Sequence, residues 1–305
     1  MYRAPTLSGR TMNVNQRRFF RHLLIALTLW LLAGAQRFWI APQLTRLPAD
    51  YAEETSYAAR CRYRDAPTAA WQQFSLIARR VDQTLVTFAG NSVIQGDMHW
   101  TTPAGEVTYE SAGLYGVDRF RRANLAGYGN VSRAGQFLFP MHLQPATYRF
   151  WDPFYTGPRT ATFERTATLN GLKVYVFSSV ADHVDDTKGY LFLPDVPERY
   201  RAYSAGQGKL WIEPVSGVVV DFEDAGVSYF GKPRGEAGAK PQRVADFYFW
   251  DARYTPETQA AQRQRATAAR RRILALERWL PLGLLFSGLF VLAHSWRRAR
   301  QEVSP

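Results

Sequence analysis

The densest group of metal-ligating side chains in this 305-residue chain lies in "ADHVDDTKG", where Asp182, His183, Asp185 and Asp186 fall close together. Hard oxygen ligands at such spacing suit a divalent cation. The stretch lacks the glycine and terminal glutamate of a calcium loop, so a solvated loop is the simpler expectation and no metal is assigned. His99 and His142 sit beside aromatic or apolar neighbours and fit packing or surface roles. No Cys/His group has zinc spacing. Asp118-Arg119 and Trp151-Asp152-Pro153 offer carboxylates, but Asp before Pro or after a strand usually opens a turn. There is no Gly-x-Ser-x-Gly elbow, no His-Glu-x-x-His and no phosphate loop. No catalytic residue and no cofactor is therefore expected, and the chain reads as non-enzymatic. The alternative is a membrane-tethered hydrolase with Asp152, Asp182 or Asp186 as its acids.

The aromatic stretch "YRFWDPFYTGP" raises a binding chemistry instead. Its rings suit either the corner of a β-domain or an apolar groove with a few placed polar groups. In the groove reading, Trp151, Phe154 and Tyr155 supply the rings, and Arg149 and Asp152 the polar contacts. Lipid or glycan is the ligand class, and another envelope protein is the alternative partner. The single cysteine, Cys61, has no partner for an intramolecular disulfide; a half-buried strand position is expected.

These residues need a scaffold, and the middle of the chain reads as antiparallel β. It is rich in Tyr, Phe, Trp, Val and Thr, broken every eight to twelve residues by turn signals. "QQFSLIARRV", "TLVTFAG", "SVIQGDMHWTT" and "GEVTYESAGLYGVDR" each alternate as strands do. "ATFERTATLNGLKVYVFSSV" predicts a hairpin about Asn170-Gly171, a pair suited to positive φ. "KLWIEPVSGVVVDFEDAGVSYF" predicts another, turning at Pro214–Gly217, and "RVADFYFW" a late aromatic strand. Short, irregular strands in a β-sandwich are the expectation. Residues 231–242 read as a loop.

Two apolar segments flank this body. In "RWLPLGLLFSGLFVLAHSWRRAR", residues 279–296 carry no formal charge and end in Trp279 and Trp296. About 18 residues suffice for a helix to cross a bilayer core, and tryptophans favour its borders. Near the start, "RRFFRHLLIALTLWLLAGAQRFWIAP" has a basic front and an apolar run over 23–35. Ala33-Gly34-Ala35 before Gln36 has signal-peptidase spacing. Counting Phe19-Phe20 and Phe38–Ile40 makes it long enough to be a retained anchor, which is the preferred reading. Between the spans and the β-domain, "TPETQAAQRQRATAARRRILALERW" predicts a polar juxtamembrane helix with Thr255 as N-cap and Pro256 in the first turn. Such a helix would lift the domain off the bilayer.

The charge pattern agrees. The net charge is +12, but residues 1–46 carry +7, residues 253–305 carry +7, and the middle carries −2. A basic excess confined to the ends argues against nucleic acid as a partner. It places both tails in the cytoplasm of a plasma membrane, with the middle extracytoplasmic. The expected order is a tail over 1–16, a membrane helix over 17–41, the β-domain over 42–254, the juxtamembrane helix over 255–278, a membrane helix over 279–296, and a tail over 297–305.

From Tyr115 to Phe177 the sequence resembles a known family. Tyr115-Gly-Val-Asp118-Arg119, Phe139-Pro140, Tyr148-Arg-Phe-Trp-Asp-Pro153, and Asn170-Gly171-Leu172 with Tyr175 and Phe177 follow in the order found in the PorA-like proteins common in actinobacteria. "PQLTRLPADY" and Ile212–Ala225 are similar to further segments of that family. The resemblance implies a membrane-tethered extracytoplasmic β-domain and little about activity. The helix pair around a β-rich body also has the layout of CD36-type lipid receptors. A pore-forming barrel requires nine to eleven residues per strand with an unbroken lipid-facing alternation, and the charged middle argues against one.

Overall fold

A computed structural model describes residues 14–152, 157–233 and 240–301. Residues 46–270 form one compact unit, and the segments 1–45 and 271–305 form a second.

The first unit is one antiparallel sheet of eleven strands. In chain order these are β1 (Ala52–Tyr63), β2 (Gln72–Phe88), β3 (Asn91–Thr101), β4 (Val107–Asp118), β5 (Asn124–Gly129), β6 (Thr147–Asp152), β7 (Gly157–Leu169), β8 (Leu172–Asp185), β9 (Arg201–Ile212), β10 (Val219–Lys232) and β11 (Gln242–Tyr254). Their order across the sheet is β5-β4-β3-β2-β1-β11-β10-β9-β8-β7-β6. Two meanders thus meet where the first strand pairs the last. The β7–β8 hairpin turns at Asn170 (φ 47°) and Gly171 (φ 80°), the two positive angles that a tight right-twisted hairpin demands.

Three expectations need correcting. The sheet is single, so there is no β-sandwich. The strands are long: "QQFSLIARRV" and "TLVTFAG" are one strand, β2, which spans 17 residues and absorbs an irregularity between Thr84 and Val86. The segment 231–242 is partly strand, because β10 runs to Lys232 and β11 starts at Gln242.

The sheet curls until its edges nearly meet. The stretch 135–137 stitches β5 to β6. The Asn124 N–H donates to the Gly135 carbonyl (2.9 Å), the Gln136 N–H to Arg149 O (2.8 Å), and the Trp151 N–H to Gln136 O (3.0 Å). Gly135 has φ +86°, and a Cβ there would stand 2.6 Å from Arg149 O. Only glycine lets the backbones come this close.

Curling gives the sheet an inner face. Tyr109, Trp100, Ala78, Tyr57 and Tyr254 are successive cross-strand partners from β4 to β11. Tyr254 packs on Phe222 (ring centroids 5.8 Å), and Phe222, Leu210 and Phe177 continue the row. Tyr57, Leu210, Ile212 and Phe177 share one apolar cluster with Phe139, Leu143 and Phe150.

The helix after β11, α3 (Pro256–Leu274), is capped as its sequence suggests, the Thr258 N–H donating to Thr255 Oγ1 at 3.3 Å. It buries Thr258, Gln262, Ala266 and Ile273, three or four residues apart for most of its length, the spacing of one helix face. Its turns up to Arg270 pack on the β unit. Glu53 accepts from Gln262 Nε2 (2.8 Å) and pairs with Arg265 (3.0 Å), Arg270 pairs with buried Glu213 (2.9 Å), and Ala266 meets Val174 and Val220. The helix foreseen as a spacer is thus docked through its first turns.

The second unit is a helix pair. One partner is α1 (Val14–Ala35), which runs through a wide π-type turn (Gln36–Ile40) into α2 (Ala41–Thr45). The other enters through a wide turn at Ala275–Trp279 and continues as α4 (Leu280–Gln301). The expected cleavage point, Ala35-Gln36, lies where α1 passes into its wide turn without a break. The two run antiparallel: His22 Nδ1 meets Ser295 Oγ (3.1 Å), Trp30 Nε1 donates to Leu285 O (3.2 Å), and Gln36 Nε2 to Leu276 O (3.3 Å). Small residues allow the approach; Ala26 is fully buried, and Gly288 lies under the Trp30 indole. Both are long and apolar enough to cross a membrane.

Candidate functional site

The inner face differs along its width. Over β7–β11 it is filled: Phe177, Ile212, Phe230 and Phe247 are completely buried. At the end of β2–β4 where β3 finishes, inward positions stay open. Phe74 faces inward as the partner of Cys61, and Tyr109 as the partner of Trp100, while the bulge between Trp100 and Thr101 turns Val107 to the opposite face as the partner of Thr101. Yet Phe74 is 37 % exposed and Tyr109 48 %. Their floor is half-buried Trp100 and Trp250 packed on Ala59, Cys61 and Leu76. Apolar side chains that face inward but remain wet have the composition of a binding groove.

The groove backs onto a buried hydroxyl chain. Ser204 Oγ donates to Asp186 Oδ2 (3.1 Å) and lies 2.9 Å from Ser228 Oγ, which lies 3.1 Å from Tyr190 OH. Cys61 Sγ and Tyr248 OH are hydrogen-bonded at 3.1 Å. Desolvation pushes the Asp186 carboxyl up to about 6, and Ser204 donation only partly offsets it. Burial likewise raises Cys61 and Tyr190. Tyr109 is raised by burial and by the nearby Asp186 charge, which ties the open strands to this chain.

A charged cluster lies deeper. Arg159 Nη1 donates to Asp152 Oδ2 and Asp224 Oδ1, both at 2.8 Å, and Nη2 to Ser179 O at 3.1 Å. The Trp250 indole N–H donates to Asp224 Oδ2 (2.8 Å). That indole lies flat over Gly226, where any Cβ would collide with it. Burial raises Asp224 against the lowering pull of Arg159. One guanidinium thus holds two buried carboxylates in place.

The outward face carries a cleft of about 470 Å³ across β7–β11, lined by Glu164, Lys209, Glu223, Asp251 and Arg253 among others. It is charged, and no histidine lines it.

The residues singled out in the sequence are dispersed. Arg149 is exposed, Trp151 is half-buried under the Arg133 guanidinium (5.4 Å), and Asp152 is consumed by Arg159. Phe154 and Tyr155 lie outside the described residues. The acidic stretch does not converge either. Asp182 pairs with His183 (3.0 Å) and Lys240 (3.2 Å), His183 Nδ1 bonds Tyr229, Asp185 accepts from Thr187 Oγ1 (2.6 Å), and Asp186 turns inward to Ser204. Among the described residues no three His, Cys, Asp or Glu side chains form a metal-sized group. His99 pairs with Glu110 on the surface (3.0 Å). The open-groove residues Phe74 and Tyr109 were not foreseen as a site. The alternation in "YESAGLY" shows that Tyr109 and Tyr115 share a face, but only the sheet's curl shows that the face looks inward.

Fold and site together define a mainly antiparallel β protein flanked by two candidate membrane spans. The chain belongs to the Porin PorA family, which matches residues 122–296. The matched stretch runs from the residues before β5 into the second apolar helix, while β1–β4 precede it. No curated protein matches the sequence. Among solved structures, a LolA-superfamily protein from Nitrosomonas europaea is similar over 73 % of this chain and 91 % of its own, at 10 % identity and a TM-score of 0.16. At that score the likeness says nothing about a ligand.

Proposed function

We propose that this is a non-enzymatic, membrane-anchored envelope protein whose β unit takes up the acyl chain of a lipid in the open part of its inner face. The observation that carries the reading is the pair of inward-facing yet exposed side chains, Phe74 and Tyr109, beside Trp100. The helix pair supports the anchoring, with both tails cytoplasmic and the β unit outside. A bilayer-tethered domain has lipid as its nearest apolar ligand. The non-enzymatic reading is supported by Asp152 and Asp224, which are buried and held by Arg159 rather than presented to solvent.

A transmembrane pore is the second reading, favoured by the family's description. Strand length permits it, since β2 spans 17 residues. The outward face opposes it. Arg79 and Glu54 pair there at 2.7 Å with more than half of each side chain exposed, and Lys209, Glu223, Asp251 and Arg253 gather on the same side. A charge facing lipid at mid-depth costs about 2–4 kcal/mol.

Mass spectrometry of the full-length protein purified in detergent tests the proposal. Wild type should carry an acyl lipid that the Phe74→Asp/Tyr109→Asp variant loses. Lipid-free wild type, or a bound glycan in its place, would overturn the reading.

A further inference from the structure

The helix pair carries a basic, aromatic collar at the end from which the chain passes into residues 46–270. Both of its wide turns lie there, tied by the Gln36 side chain to Leu276 O at 3.3 Å. A wide turn breaks the regular helical ladder and often marks a functional site. Around these turns Arg37, Arg271, Arg272 and Arg278 are all exposed, against one acid, Glu277. Phe38 and Trp39 are each 77 % exposed and Trp279 61 %. The Arg37 guanidinium lies 5.8 Å from the Phe38 ring centroid, and that of Arg278 lies 5.4 Å from Trp279. Arg272 Nη2 donates to Leu44 O at 2.9 Å, fixing one arginine across the pair.

Rings that sit at headgroup depth beneath cations match the chemistry of a phospholipid, whose glycerol and carbonyls lie just below an anionic phosphate. An arginine fork binds that phosphate through paired N–H donors. We propose that the collar formed by Arg37, Arg271, Arg272 and Arg278 binds the headgroup phosphate of anionic phospholipids in the leaflet on the β-unit side. This rests on the helix pair being membrane-embedded, and not on acyl uptake by the β unit.

Native mass spectrometry of the full-length protein in micelles, titrated with dihexanoyl-phosphatidylglycerol, tests it. Each Arg→Gln change should weaken binding about fivefold, which corresponds to about 1 kcal/mol per basic residue at an anionic surface. The fourfold Gln variant should lose binding, while the fourfold Lys variant keeps it within about threefold. Gln changes at Arg17, Arg18, Arg297 and Arg298, at the opposite end, should leave most of it. Equal binding of dihexanoyl-phosphatidylcholine, or undiminished binding by the fourfold Gln variant, would overturn the proposal. So would displacement by an equal concentration of inorganic phosphate, which would mark a free-phosphate site. The Phe74→Asp/Tyr109→Asp variant should bind phosphatidylglycerol as wild type does, which separates failure here from failure of acyl uptake.

Discussion

The inner face of the β unit is built in two ways. Over β7–β11 it is closed: Phe177, Ile212 and Phe247 exclude water, and Arg159 neutralises Asp152 and Asp224 in the space left. At one end of β2–β4 equivalent positions hold Phe74 and Tyr109, which nothing covers fully. The same curled sheet thus supplies a core on one side and a groove on the other. What decides between them is the chain that returns over each. Residues 187–200 lay Leu193, Val196 and Tyr200 onto Phe230 and Phe247. At one end of β3 and β4, Phe137 and Leu138 pack on Ile94, Tyr115 and Val117 in the same way, while at the other end Phe74 and Tyr109 remain exposed.

The largest effect should come from the closed side. Arg159→Met leaves two carboxylates buried without their cation, and losing one partner of a buried ionic group costs about 3–5 kcal/mol. Thermal unfolding of the full chain in detergent should show it as a drop of many degrees, and an unchanged midpoint would mean that water reaches the cluster. A pH effect comes next. Asp186 has its carboxyl raised to about 6 from an ordinary value of 3.8. The folded state therefore holds this proton more tightly than the unfolded chain does. Its contribution to stability is largest below about 4 and declines as pH rises to about 6, by on the order of 2–3 kcal/mol. Asp186→Asn, which can still accept from Ser204, should flatten that slope.

On the open side the expectation reverses. Tyr109→Ser should change stability by no more than about 0.5 kcal/mol, as exposed positions do, while bound lipid falls severalfold. A large loss of stability would mean that this side chain belongs to the core after all. The smallest effect should be Glu54→Gln on the outward face, where an exposed pair with Arg79 contributes about 0.5 kcal/mol or less.

Much of this division was hidden in the sequence. Hairpins were legible where chemistry is local, as at Asn170-Gly171. The strands β3 and β4 were legible by alternation, and the cap at Thr255-Pro256 by residue type. β1 was not, because "AEETSYAARCRY" places Ala59 and Cys61 where a strand usually shows large apolar residues. The first half of β9 was hidden for the same reason: Gly206 and Gly208 sit on a crowded inner face. Asp152 read as a possible ligand group because its partners, Arg159 and Asp224, are brought to it only by the pairing of β6 with β7 and by the curl of the sheet. The groove was invisible for a similar reason, since burial of Phe74 or Tyr109 depends on which segment crosses above them.

The central claim, that the open half of the inner face receives an acyl chain, is tested most directly by the fluorescence of Trp100. Bromostearate titrated into the full-length protein should quench a component of emission that is missing from the Trp100→Phe variant, and Tyr109→Asp should remove that quenching. Identical quenching of wild type and Trp100→Phe would contradict the claim.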